Sequence, residues 1–303
     1  MVRSLDVLQK SIAIVGPTAS GKSAIGLALA ERIQGEIVSC DSVQVYKEFN
    51  IGSAKPSQEE CNRVPHHMID LVNWNQNFDA ARYRELALEN IRDIHERGRI
   101  PIIVGGTGLY FRALCGAKFH DLPSSVELRK ELDALTNEEL LIKLQKLDPL
   151  RAKKLHPNDR FRLMRACEIS ILTGKSVENL EEKEENSPRP FTVLCNPPRE
   201  DLLKIIQLRS EKMLNEGLID EVRALLKQGC PVSVKPMQSI GYRQVCEYLQ
   251  GTIAERQLLE KIVIATRQYA RKQLMWFRNV PTDLILNNSY DVSQCVEKII
   301  KAR

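Results

Sequence analysis

Short apolar runs of strand length alternate, along much of the chain, with longer stretches in which apolar residues recur every three to four positions. Ser11-Ile12-Ala13-Ile14-Val15 is one such run, and Ser23 to Gln34 follows it with Ile25, Leu29 and Ile33 on a single helical face. Glu36-Ile37-Val38-Ser39 reads as a second strand, and Arg99 to Val104 as a third, more strongly apolar one. Strands of this kind separated by helical segments predict a parallel sheet with helices packed on both faces. From about residue 118 to 189 the strand signal disappears and only helical periodicity remains. That stretch opens near Asp121-Leu122-Pro123 and closes with the polar run Glu181 to Pro188. Phe191-Thr-Val-Leu-Cys195 then resumes the strand pattern, and a long helix is predicted from Ile253 to about Phe277, with mainly helical pattern on to Arg303.

With 303 residues and 43% hydrophobic content, the chain can bury one large core and a smaller appended one. Charged residues interrupt every hydrophobic run before the roughly 20 apolar residues of a membrane span. Met1 to Lys10 is too polar for a signal peptide, so the expectation is a cytoplasmic protein with no membrane partner. Eight cysteines stand singly with no CxxC pair, which argues against a zinc site or a disulfide framework. A net charge of +5 is compatible with a polyanionic partner without requiring one.

Between the first strand and the first helix lie Gly16, Pro17, Thr18, Ala19, Ser20, Gly21, Lys22 and Ser23, a full G-x-x-x-x-G-K-[ST] phosphate loop in strand-loop-helix context. Glycines let the backbone curl so that several N–H groups point inward, and the helix N-terminus favours an anion. Lys22 supplies a positive charge and Ser23 a hydroxyl for Mg²⁺. The loop recognises a chain of phosphates, in ATP-binding proteins as in others, so phosphoryl transfer does not follow from it. The predicted architecture is α/β: a P-loop NTPase-like core with a central parallel sheet flanked by helices, from residues 1–117 and 190–303, plus an inserted helical domain at 118–189.

In an open parallel sheet, ligands bind beyond the carboxyl ends of the strands. The second strand delivers Asp41, Ser42, Val43 and Gln44 to that edge, and the third delivers Gly105-Gly106-Thr107. Asp41 reads either as a base or substrate-orienting carboxylate, or as a magnesium-ordering group or a turn cap. Gly105-Gly106 reads equally as a turn after a buried strand.

These runs together resemble the tRNA dimethylallyltransferases. The resemblance rests on Gly16 to Ser23, Asp41-Ser-Val-Gln-Val-Tyr46, Gly52-Ser-Ala-Lys-Pro56, Pro65-His-His-Met-Ile-Asp70 and Gly105-Gly-Thr-Gly-Leu-Tyr110. His156-Pro-Asn-Asp159, Gln238-Ser-Ile-Gly-Tyr-Arg243 and Ala265 to Arg278 extend it over nearly the whole chain. It implies transfer of a dimethylallyl group from dimethylallyl diphosphate to N6 of adenosine 37, next to the anticodon of tRNA, with Mg²⁺ assisting and diphosphate leaving. Asp41 is then the group that takes the N6 proton, Thr107 orients the reacting groups, Lys22 neutralises the leaving group, and Gln44 contacts the extruded base. A helical arginine binds the donor diphosphate; Arg209 matches that position, with Arg223 on the same amphipathic segment as the other candidate.

The resemblance also assigns anticodon stem-loop contacts to Phe161, Arg162, Leu163, Met164 and Arg165 in the insertion, and to Gly241, Tyr242, Arg243, Arg271, Lys272, Gln273 and Arg278. Arg267, Arg271 and Arg278 fall near one face of the long helix, beside Trp276 and Phe277, and Lys153-Lys154 with Arg160 forms a second basic patch. A solvated helix face and two core aromatics are the plainer reading of the first group. The chain departs from the family at Phe161, where Gln is more usual, at Arg271-Lys272, where Lys-Arg is common, and at Met275, where Thr is common. A monomer is expected. A P-loop kinase, an RNA-binding protein without catalysis, and the prenyltransferases of free adenylates remain as alternatives at this point.

Overall fold

The structure is a computed structural model, and it describes residues 7–116, 123–176, 188–288 and 290–303. The chain divides into two compact units, residues 1–115 with 188–303, and residues 116–187. The positions at which the sequence places the ends of the insertion, Asp121-Leu122 and the run from Glu181, lie outside the described residues.

In the first unit, β1 (Ile12–Val15), α1 (Lys22–Ile33), β2 (Gly35–Cys40), α2 (Gln58–Arg63), β3 (His66–His67), α3 (Ala80–Glu96), β4 (Ile100–Gly105) and α4 (Gly108–Leu114) come first. The second unit supplies α5 (Val126–Asp133), α6 (Asn137–Leu147), α7 (Pro149–Lys154) and α8 (Arg160–Thr173). The chain then returns as β5 (Phe191–Cys195), α9 (Arg199–Asn215), α10 (Leu218–Lys227), α11 (Tyr242–Leu249), α12 (Glu255–Phe277), β6 (Leu284–Leu286) and α13 (Val292–Ala302).

The described strands form one six-stranded, all-parallel sheet in the order β3-β2-β4-β1-β5-β6. Every residue of β1 and β2 is buried, which is why both read as continuous apolar runs and not as alternating ones. Ile12 and Ile14 share a core with Ile25 and Leu29 of α1, Ile37, Ile102 and, from the far end of the chain, Val296 and Ile299 of α13. Each such side chain contributes roughly 1.5–3 kcal/mol on burial. The charged exception in β2 is Glu36, which is only 3% exposed. It accepts from both guanidinium nitrogens of Arg97 and lies 2.7 Å from His67 Nε2; the arginine holds its carboxyl below the usual range.

β1 lies beside β4, whereas β2, the next strand in the chain, lies beyond β4. The connection thus skips a position, and the carboxyl ends of β1, β4 and β2 border one crevice, the usual ligand site of such sheets.

The second unit has its own small core of Leu132, Leu140, Leu144, Leu163, Ala166 and Cys167. Its helices start at side-chain caps: Ser125, Thr136 with Glu139 in a capping box, Asp148 ahead of Pro149, and Asp159, which accepts from the Arg162 amide at 3.3 Å. The helix start signalled by Pro157-Asn158-Asp159 is thus where α8 begins.

Candidate active site

The loop from Gly16 to Ser23 joins β1 to α1, with Gly16, Ala19 and Gly21 at positive φ (145°, 63° and 84°). Gly16 also passes so close to β5 that a Cβ there would lie 2.5 Å from the Cys195 carbonyl oxygen. No side chain caps α1, so its first amides remain directed at the crevice as anion donors. Lys22 is buried and donates to the Pro17 carbonyl at 2.5 Å; burial pushes its pKa down to about 8. Arg209, from α9, donates to the Thr18 hydroxyl at 3.1 Å, and burial lowers its pKa as well. Arg223, by contrast, is half-exposed on α10 and pairs with Asp220 at 2.9 Å. Of the two candidate arginines, Arg209 is the one that stands at the phosphate loop.

At the end of β2, Asp41 Oδ1 accepts from the amides of Val43 at 2.8 Å and Gln44 at 3.3 Å, fixing a tight turn. Thr107 stands opposite: its hydroxyl accepts from the Ser42 amide at 3.1 Å, and its own amide donates to the Cys40 carbonyl at 3.1 Å. The β2 and β4 ends are thus bonded to each other, and Asp41 and the phosphate loop border one opening, with Thr107 bracing the Asp41 turn and lining neither of its cavities.

Two adjoining cavities occupy that opening. The larger, about 760 Å³, is lined by Thr18, Lys22, Ser23, Asp41 and Arg209. The smaller, about 320 Å³, shares Thr18, Asp41, Arg209, Met213 and Tyr269 with it and adds apolar wall from Ile206, Ile240 and Ile262. Asp41 therefore borders both, one side anionophilic and the other largely apolar.

Three predicted contacts prove to be internal braces. Gln44 accepts from the Ser39 hydroxyl at 2.8 Å and donates to the carbonyls of Ser53 (3.3 Å) and Ala54 (3.0 Å), so its amide is engaged within the protein. Gln273 is 6% exposed; it accepts from the Thr18 amide and donates to the Gly106 carbonyl, both at 2.8 Å, tying α12 to the phosphate loop and the β4 end. Gly106 admits it because a Cβ there would meet the Gln273 amide at 2.3 Å, so this glycine pair does more than turn the chain. Tyr242 is fully buried with its hydroxyl on Glu221.

The basic surfaces separate in the same way. Arg267, Arg271, Lys272 and Arg278 are exposed on or beside α12, whereas Phe277 is core, edge-on to Phe111, and Trp276 packs over Gly108. Arg243 is exposed at the start of α11, and Gly241 is buried at its cap. In the second unit Leu163 is fully buried, so its side chain belongs to that unit's core and not to a binding surface. Arg165 donates to Glu168 and the Pro123 carbonyl, and Arg160 to the Leu135 and Asp133 carbonyls, so both hold the unit together. Phe161, 80% exposed, and Arg162 face solvent, with Met164 half-buried beside them.

Tyr269, which lines both cavities from α12, was not singled out from the sequence. Its spacing of four from Gln273 on one helix was the available signal. Lys55 was also missed as a brace: it pairs with Asp70 at 2.6 Å and donates to Asn50 Oδ1 and the Tyr46 carbonyl.

A divalent ion would find hard oxygen donors here, the exposed Ser23 hydroxyl and the Asp41 carboxylate on the wall of the same cavity. Among the described residues no group of three His, Cys, Asp or Glu side chains could hold one alone. That donor set fits Mg²⁺, which keeps several waters and takes phosphate oxygens in place of an all-protein cage. The thiols behind the loop, Cys40 and Cys195, are pushed up to about 12 by burial and stay protonated.

A family model described as IPP transferase matches residues 44–280. A tRNA dimethylallyltransferase of Geobacter metallireducens is 44% identical over 274 residues, 88% of this chain and 89% of that one. Among solved structures, the tRNA isopentenylpyrophosphate transferase of Bacillus halodurans superposes with a TM-score of 0.71 at 35% identity, over 97% and 96% of the two chains. A eukaryotic dimethylallyltransferase acting on tRNA gives a TM-score of 0.80 at 29% identity, over 94% of this chain and 75% of that one. With a phosphate loop, an aspartate and a threonine gathered on one crevice of the same fold, the chain belongs to the IPP transferase family, the tRNA dimethylallyltransferases.

Proposed function

We propose that this enzyme transfers a dimethylallyl group from dimethylallyl diphosphate to N6 of the adenosine next to the anticodon of tRNA, releasing diphosphate. The observation that carries the reading is the position of Asp41 on the shared wall of two cavities, one built for a phosphate chain and one largely apolar. The names of the relatives support the same reaction.

The exocyclic amine of adenine is a weak nucleophile, so the barrier falls through orientation and through stabilising the leaving group. The donor diphosphate sits on the backbone amides from Ala19 to Ser23, with Lys22, the Thr18 hydroxyl and Arg209 around it. Mg²⁺, when bound at Ser23, supplies further neutralisation of the departing oxygens. Ile206, Met213 and Ile262 beside Arg209 offer the carbon chain a dry wall. The base leaves its stack to reach this site. Its N6 lone pair forms the new bond to the allylic carbon as the carbon–oxygen bond breaks and its electron pair leaves with diphosphate. The N6 proton passes to Asp41, which the Val43 and Gln44 amides hold in place, and Thr107 orients the amine. Exposed cations on α12 and in the second unit, with Phe161, hold the surrounding RNA strand.

The test is mass spectrometry of nucleosides from anticodon stem-loop RNA incubated with the protein, Mg²⁺ and dimethylallyl diphosphate. Adenosine gaining one dimethylallyl group is the expected product, and Asp41→Asn should lower its rate by about 10²-fold while RNA binding persists. Label appearing in product from the γ-phosphate of ATP, with none from the prenyl carbons, would make the protein a kinase instead.

A further inference from the structure

Glu221, in the first turn of α10, receives four donors on one carboxylate. Its Oε2 accepts from the amides of Asn50 at 3.1 Å and Ile51 at 2.9 Å, and its Oε1 from the Gly52 amide at 3.4 Å and the Tyr242 hydroxyl at 2.5 Å. Three consecutive backbone N–H groups turned to one point form an anion-binding concavity. Here the anion is a side chain some 170 residues away in sequence, |i−j| = 169 to 171.

The loop held in this way touches the reaction centre through a short chain of bonds. Its next two carbonyls, of Ser53 and Ala54, accept from the Gln44 side chain, and the Gln44 amide donates to Asp41 Oδ1. Ser53 lines both cavities, and Gly52 and Gly241 line the smaller one. Tyr242 presses the same loop from the other side: a Cβ at Gly52 would lie 2.4 Å from its ring. The fully buried tyrosine therefore fixes where the loop runs as well as bonding to the carboxylate.

We propose that Glu221, with Tyr242 as its partner, is a positioning residue for the transfer: it clamps the 50–54 loop, and through Gln44 that loop sets the Asp41 turn. The inference rests on the proposed reaction, because it concerns how Asp41 is aimed. A carboxylate suits the task because one rigid group satisfies several amides at once, and charge-assisted bonds are shorter and stronger than neutral ones. Replacing it with an amide keeps the shape, loses an acceptor and puts an N–H group where an amide donor points.

The experiment compares the full chain with its Glu221→Gln and Tyr242→Phe variants in two measurements. Hydrogen exchange of the residue 50–54 backbone should quicken at least tenfold in Glu221→Gln and less in Tyr242→Phe, with the α1 amides unchanged. Turnover of anticodon stem-loop RNA should fall about tenfold and threefold respectively, with KM for RNA and for the allylic donor each within twofold. Should Glu221→Gln fail to fold, the Tyr242→Phe pair of measurements decides. Unchanged exchange in residues 50–54 overturns the clamp, as does quickened exchange with turnover kept within twofold of the parent. A parent protein that makes no prenylated adenosine defeats the proposed reaction, and the exchange result then still upholds or overturns the clamp.

Discussion

Lys22 carries the most distinctive electrostatic signature at the site. Its ordinary pKa of 10.5 falls to about 8 because burial penalises the ammonium more than Asp41 nearby favours it. Between those two values the unfolded chain binds more protons than the folded one, so this group makes stability rise with pH from about 8 to 10.5; below 8 its destabilising effect is fully present. A diphosphate anion reverses the balance by stabilising the charge, so binding above pH 8 requires proton uptake. Affinity for inorganic diphosphate should therefore weaken as pH rises through 8, by up to about tenfold per unit. Titration calorimetry of the parent and Lys22→Met between pH 7 and 9.5 cancels the ligand's own ionisation. The variant should bind far more weakly at pH 7 and lose the additional pH dependence, yet resist denaturant better in the absence of ligand. Equal pH slopes in the two proteins would show that the lysine is charged throughout.

At the scale of one element, α12 does two jobs on two faces. Ala270, Gln273 and Phe277 are buried, and Gln273 reaches the phosphate loop; Arg271, Lys272 and Arg278 are exposed. Removing charge from the exposed face should weaken RNA without touching the donor. Arg271→Ala with Lys272→Ala is expected to reduce the slope of log affinity against log salt by about 0.7 per lost phosphate contact. Diphosphate affinity should stay within twofold, and an unchanged salt slope would remove both residues from the RNA surface. The two faces also mark what could be seen in advance. The strand ends were legible because buried parallel strands are apolar throughout and the Gly16–Ser23 spacing belongs to phosphate loops. The exposed cations were legible as a stripe on a helix. Gln273 was not, since a bond to a carbonyl or amide across 167 or 255 residues leaves no local pattern, and a polar residue in a basic stretch looks like part of the surface; nor was the brace at Gln44, whose bonds to Ser39, Ser53 and Ala54 depend on how an irregular loop folds back and not on any periodicity. Short edge strands escaped for a related reason: β3 consists of two histidines, and β6 of three residues, too few to show any period.

Over the whole molecule, the order of elements places one folded unit inside the sequence of another. β5, β6 and α13 complete a sheet and a core begun by β1 and α1, so the first unit cannot close until the chain has passed through residues 116–187 and returned. The second unit buries Leu132, Leu140, Leu144 and Leu163 among themselves, a separate cluster with none of the first unit's residues. Separate cores should unfold separately. Both flanks of the excursion, up to Cys115 and from Pro188, belong to the first unit, so a short Gly/Ser linker can take the place of residues 117–187. Such a protein should keep a cooperative unfolding transition and bind diphosphate within threefold of the parent, because every residue at the phosphate loop belongs to the unit that remains. It should lose affinity for anticodon stem-loop RNA by tenfold or more, since the exposed Phe161 and Arg162 leave with the insertion. Loss of diphosphate binding would mean that the two cores are coupled, and undiminished RNA affinity would mean that the cations of α12 hold the strand without help from the second unit.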